Sequence, residues 1–83
     1  MSARVKLPPE LADLLRSELI NVIEESALHR DDELIAKRHI VDKWCQIDIA
    51  AELGWRRATV ADHLKYIMPR VVDVSKRLNT NRT

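Results

Sequence analysis

The chain has a single glycine, Gly54, in 83 residues, and that scarcity constrains the fold more than any other feature. Tight hairpins need positive φ, which glycine adopts without steric cost, so a chain with one glycine is poorly suited to sheets and well suited to helices. The absence of phenylalanine beside a hydrophobic content of 46% points the same way, because strands favour aromatic and β-branched residues. The length leaves room for one domain with one modest core, which excludes multidomain enzymes and large cofactor-binding folds. The expected fold is all-α, a compact bundle of four to five short helices in a single domain over residues 1–83.

Hydrophobic spacing places the helices. Pro8 and Pro9 precede Leu11, Leu15, Leu19 and Val22, with Ala12, Ile23 and Ala27 widening the stripe, and this predicts a long amphipathic N-terminal helix over 9–28. Its other face carries Glu10, Asp13, Ser17, Glu24 and Glu25. The stripe serves the chain's own core, a second subunit, or both, and Leu11, Leu15, Leu19 and Val22 are the candidate dimer interface. Asp31 and Asp32 offer an N-cap for a second helix over 32–44, whose apolar positions Leu34, Ile35, Ile40, Val41 and Trp44 follow no single period. Pro69 is expected to stop the helix before it. Beyond it, Val71, Val74 and Leu78 favour another helix, although the valines also suit a short strand. Residues 79–83 are polar and expected to form a flexible tail.

Charge separates the two halves. The formal net charge is only +1, but residues 1–42 sum to −3 and residues 43–83 to +4. The basic half is the better candidate for phosphate contact. Cys45 is the only cysteine and cannot form an internal disulfide, so a reducing, cytoplasmic setting is expected. No uncharged run approaches the roughly 18 residues of a membrane span, and no signal sequence opens the chain, so no membrane partner is expected.

The segment 46–68 carries the functional information. A helix over 46–53 turns Ile49 and Leu53 inward and has Ala50 where a second helix crosses too closely for a larger side chain. Gly54 follows at once, where the left-handed conformation ends a helix and reverses the chain. Trp55 fills the gap, and a helix over 57–67 returns Val60 and Leu64 to the same core. The order Ile49-Ala50-Ala51-Glu52-Leu53-Gly54-Trp55-Arg56-Arg57-Ala58-Thr59-Val60 resembles the helix-turn-helix of small bacterial and phage DNA-binding regulators. The longer run from Trp44 to Thr59-Val60 resembles the excisionase-type subgroup, in which a tryptophan precedes the motif and a Thr-Val pair opens the recognition helix. The chain departs from that subgroup in lacking a strand-and-wing segment after the motif, and His63 stands where many such motifs have an apolar side chain.

The resemblance implies that the second helix lies in the major groove of double-stranded DNA and reads it with its outward face. The candidate DNA-binding residues are Gln46, Arg56, Arg57, Thr59, Asp62, His63, Lys65 and Arg70. Arg56 and Arg57 sit at the start of that helix, where cations oppose the helix dipole by roughly 0.3–1 kcal/mol. A phosphate or the acceptors of guanine would reverse that sign; otherwise both are solvated surface arginines. Thr59 meets a phosphate or a thymine methyl, or packs on the preceding helix. Lys65, Arg70, Lys76 and Arg77 are candidates for positioning on phosphates, and Gln46 for touching the backbone. Asp62 opposes phosphates unless it pairs with an arginine or lysine or accepts from a cytosine amino group. His63, Trp44 and Trp55 read first as packing groups.

Catalysis is not expected. His29, His39, His63 and Cys45 lack the spacing of a metal site, one glycine builds neither a phosphate loop nor a nucleophile elbow, and the acidic pairs suit capping and solvation. No metal or other cofactor is implied, and no catalytic residue. The sequence favours sequence-specific binding of double-stranded DNA, as a transcriptional regulator or a recombination directionality factor, acting as a homodimer or higher homo-oligomer. The alternative is a protein-binding module, an antirepressor or polymerase-binding factor, in which the acidic first helix meets a protein partner.

Overall fold

Proline starts the first helix and the residues just after it end it within a turn. The computed structural model describes residues 5–80, with side chains to 78, and all regular structure among them is helical. Helix α1 is Pro9–Ala12, α2 Arg16–Glu25, α3 Arg30–Ala36 with a π-helical continuation Lys37–Val41, α4 Gln46–Leu53, and α5 Arg57–Thr80.

The single long N-terminal helix expected over 9–28 is therefore two helices. At Leu15 the backbone is extended (φ −69°, ψ 159°), and its N–H donates to Glu18 Oε1 at 2.8 Å. That carboxylate satisfies one of the orphan donors at a new helix start, as half of a capping box; a leucine side chain cannot supply the other half. The break also corrects the dimer stripe. Leu11 is fully buried and Leu19 and Val22 are 4% exposed within the chain's own core, while Leu15 is 68% exposed. Three of the four residues assigned to a second subunit are thus already covered, and the fourth has left their line.

Helix α3 begins at Arg30 with His29 in the N-cap position, so Asp31 and Asp32 lie inside the first turn instead of capping it. Their charge there still favours the positive end of the helix. The irregular period of this segment has a geometric cause. Ile35 and Ile40, and Ala36 and Val41, are buried pairs five residues apart, a spacing that the wider π turn brings onto one face. The segment then closes with Lys43 at φ +62° and the Trp44 N–H donating to the Arg38 carbonyl at 2.8 Å.

Helix α4 ends as its sequence predicts. Gly54 is left-handed (φ +71°, ψ 27°), the Trp55 N–H donates to the Ala50 carbonyl at 2.9 Å, and the Gly54 N–H donates to that of Ala51 at 3.4 Å. These two bonds make a Schellman motif, which satisfies carbonyls that α4 would otherwise leave open.

Pro69 does not stop the last helix. Helix α5 runs 24 residues through it, and the segment after it is helix, not strand. A proline removes one helical hydrogen bond and costs roughly 3 kcal/mol in a helix interior. Here it lies on the exposed side, while Val60, Leu64, Ile67, Val71 and Ser75 form one buried line down the opposite side. Packing along both halves of that line outweighs the lost bond. The C-terminal half is held further by Arg70 Nε, which donates to the Ser26 carbonyl, and by Ser75 Oγ, which donates to that of Glu10 at 3.3 Å. The helix includes Asn79 and Thr80 of the expected tail; residues 81–83 lie outside the described residues. No helix among the described residues is long and apolar enough to cross a membrane.

Candidate nucleic-acid interface

The geometry around Gly54 decides which side chains reach solvent. Ile49 and Ala50 of α4 and Val60 and Leu64 of α5 are buried together, so the chain between them projects outward. Arg56, Arg57, Ala58, Thr59, Asp62 and Lys65 are all exposed. Thr59 is exposed on the first turn of α5. Gln46 is half-buried at the first turn of α4.

The cations of this protein are unevenly committed. Arg38 makes a two-point contact with Glu52 (Nε to Oε1 3.0 Å, Nη2 to Oε2 3.2 Å), also bonds Asp42 at 3.1 Å, and lies over the Trp44 ring at 4.8 Å. Arg16 bonds the other oxygen of Asp42 at 3.1 Å. The carboxylate of Glu52, and then that of Asp42, hold the Arg38 guanidinium above its ordinary value. Burial opposes ionisation of Asp42, but its two arginines hold it below the usual carboxylate range. Lys37 meets Glu33 and Glu24 at 3.3 and 3.5 Å. Near the end of α5, Arg77 pairs with Asp73 at 2.7 Å and Lys76 with Glu10 at 3.7 Å. By contrast, Arg56 and Arg57 have no ion-pair partner among the described residues.

Three expected phosphate contacts are accordingly misplaced. Lys76 and Arg77 lie about 30 Å along the α5 axis from Arg57. Arg70 is turned toward α2, where its Nε is occupied by the Ser26 carbonyl. Asp62 and Lys65 do lie beside the turn, paired with each other at 3.5 Å with side chains 71% and 79% exposed. An exposed pair of this kind contributes roughly 0–1 kcal/mol, so it yields readily to a stronger partner.

His63 belongs to a cluster that local spacing does not reveal. Its Nδ1 lies 2.7 Å from Asp32 Oδ1, the Tyr66 hydroxyl donates to Asp32 Oδ2 at 2.8 Å, and that hydroxyl is also 2.9 Å from His63 Nδ1. The Trp55 ring is 4.9 Å from that of His63. Asp32 is 3% exposed, so α3 supplies a buried acceptor that fixes two donors of α5 beneath the turn. Burial, then the hydrogen bond and charge of Asp32, push the Tyr66 hydroxyl up. His63 is thus a fixed packing group whose imidazole is only partly available. Asp32 and Tyr66 are the residues that sequence reasoning missed. Asp32 sits in an acidic run that looks like any solvated helix start, and its partners are 31 and 34 residues away.

A shallow groove of about 590 Å³ adjoins this surface, between residues 6–8 of the N-terminal arm, Gln46 and the Ala61–Met68 side of α5. His39 stands at its edge, with Nδ1 donating to the Trp44 carbonyl at 3.2 Å; burial holds its imidazole below the ordinary histidine range. Among the described residues no group of three or more His, Cys, Asp or Glu side chains is arranged to hold a metal ion. Comparison with family models, with curated proteins and with solved structures finds no match to this chain.

Proposed function

We propose that this protein binds double-stranded DNA in a sequence-specific manner, with α4, the Gly54 turn and the first turns of α5 acting as a helix-turn-helix. The observation that carries the reading is the pair Arg56 and Arg57, exposed and without an ion-pair partner among the described residues, at the positive end of a 24-residue helix. Cations at that end oppose the helix dipole, and a phosphate or guanine edge relieves both costs at once. Thr59, Asp62 and Lys65 share the exposed side of the same helix, with Ala58 and Ala61 small enough to admit a close approach. Arg57 is assigned a base-edge contact and Lys65 a phosphate contact.

The role is that of a transcriptional regulator or a recombination directionality factor. A lone motif of this size makes few base contacts, so two or more copies on adjacent sites are expected. Half-sites would then be separated by about one helical turn, roughly 10–10.5 base pairs. With Leu11, Leu19 and Val22 in the core, the copies meet through other residues or through cooperative placement on DNA.

Selection of bound sites from a random duplex pool, with a salt titration of the best site, tests the reading. An enriched motif and a log-log salt slope of several units support it. Lack of duplex affinity even at about 50 mM salt, where phosphate contacts act strongly, overturns it.

A further inference from the structure

We propose that the groove beside α5 seats the sugar–phosphate backbone of duplex DNA, with Lys6 of the N-terminal arm as a phosphate contact beside Gln46 and Lys65. This rests on the duplex-binding reading and extends it to a segment remote in sequence from the turn. The groove is continuous with the exposed face of α5, because Ala61 and Lys65 border both. Gln46 brings the first turn of α4 to the same edge. Leu7, Pro8, Leu64 and Met68 give it an apolar floor, suited to the carbon face of a deoxyribose.

Its charge is of one sign. Among the described residues, Lys6 and Lys65 line it and no carboxylate does, Asp62 meeting Lys65 from outside the lining. Lys6 is exposed and has no ion-pair partner among the described residues. Lys65 is held only by its exposed pair with Asp62, which a phosphate can replace. His39 adds no positive charge near neutral pH, since burial disfavours its protonated form and its Nδ1–H is given to Trp44. An open trough with a cationic rim and an apolar floor fits a passing polyanionic strand better than an enclosed small molecule, for which most of the ligand surface would need burial.

The test is a salt titration of binding to a duplex carrying the selected site by the wild-type chain and by Lys6→Ala, Lys6→Gln and Arg57→Ala. Loss of one phosphate contact lowers the log-log slope by about 0.9, so Lys6→Ala should lose roughly three- to fourfold less affinity than wild type between about 50 and 200 mM salt. Lys6→Gln should match it. A duplex with one phosphate replaced by an uncharged methylphosphonate should bind wild type more weakly at one position. Lys6→Ala and Lys65→Ala should each lose sensitivity at that position or its neighbour. If wild type and Arg57→Ala differ in duplex affinity while both Lys6 variants keep the wild-type affinity and slope, the groove proposal is overturned and the duplex-binding reading stands. If the wild-type chain has no duplex affinity, both are overturned.

Discussion

Replacing Asp32 with alanine tests how α5 is held. The side chain is 4% exposed and accepts from His63 at 2.7 Å and Tyr66 at 2.8 Å, so the change removes two hydrogen bonds to a charged acceptor. Such bonds contribute about 1.5–3 kcal/mol each, which sets an upper bound near 6 kcal/mol. Two effects reduce it. The His63 side chain is 30% exposed and Tyr66 51% exposed, so water can reach both abandoned donors. The carboxylate's own burial cost also disappears. The net loss should be about 2–3 kcal/mol, a large share of the roughly 4–12 kcal/mol typical for a domain of this length. Thermal unfolding followed by far-UV circular dichroism should show a midpoint about 10–20 °C lower. Asp32→Asn should lose less, because its amide can still accept from Tyr66. A double-mutant cycle with Tyr66→Phe should give a coupling of at least about 0.5 kcal/mol. An Asp32→Ala midpoint within two or three degrees of wild type would refute the idea that this carboxylate anchors α5.

Further outcomes follow from other positions. Tyr66 is the only tyrosine, so phenolate absorbance reports it alone; its midpoint should lie above the ordinary value and move back down in Asp32→Asn. Gly54→Ala should cost about 1 kcal/mol in chemical denaturation, because φ is +71° and a Cβ there would meet nothing within 4 Å, so the penalty is backbone strain alone. His39 is held neutral by burial, so the folded state binds its proton less readily than the unfolded chain. Its contribution is present above the unfolded value near 6.5 and is lost as pH falls from there toward its depressed folded value. His39→Gln should flatten the fall in stability between about pH 7 and 5. Arg57→Ala should relax preference at one base pair at a cost of roughly 1–3 kcal/mol; uniform weakening across all sequences would move Arg57 to the phosphates.

The parts of the fold that sequence exposes are those fixed by neighbours along the chain. Gly54 marks its helix end because only a few residue types tolerate that φ, and Val60 and Leu64 mark a buried face by their spacing. The failures have equally local causes. Glu18 competes for the Leu15 N–H, and a leucine stripe cannot reveal that break. Pro69 is a helix breaker by its own chemistry, yet the buried line from Val60 to Ser75 holds the helix through it. A five-residue spacing looks irregular until a π turn is considered. At the candidate site, the exposed arginines were legible from their place at a helix start. The Asp32 cluster was not, because its three members are brought together by packing alone, and the groove at Lys6 depends on where an arm lies after folding.

The most direct measurement is a two-dimensional amide NMR titration of the isotope-labelled chain with a duplex carrying its selected site. The account predicts that the largest shifts fall on Gln46, Arg56 to Thr59, Asp62 and Lys65, while α2 and the start of α3 stay nearly still. Shifts confined to the acidic surface of α2 and α3, or an unchanged spectrum at saturating duplex, would contradict it.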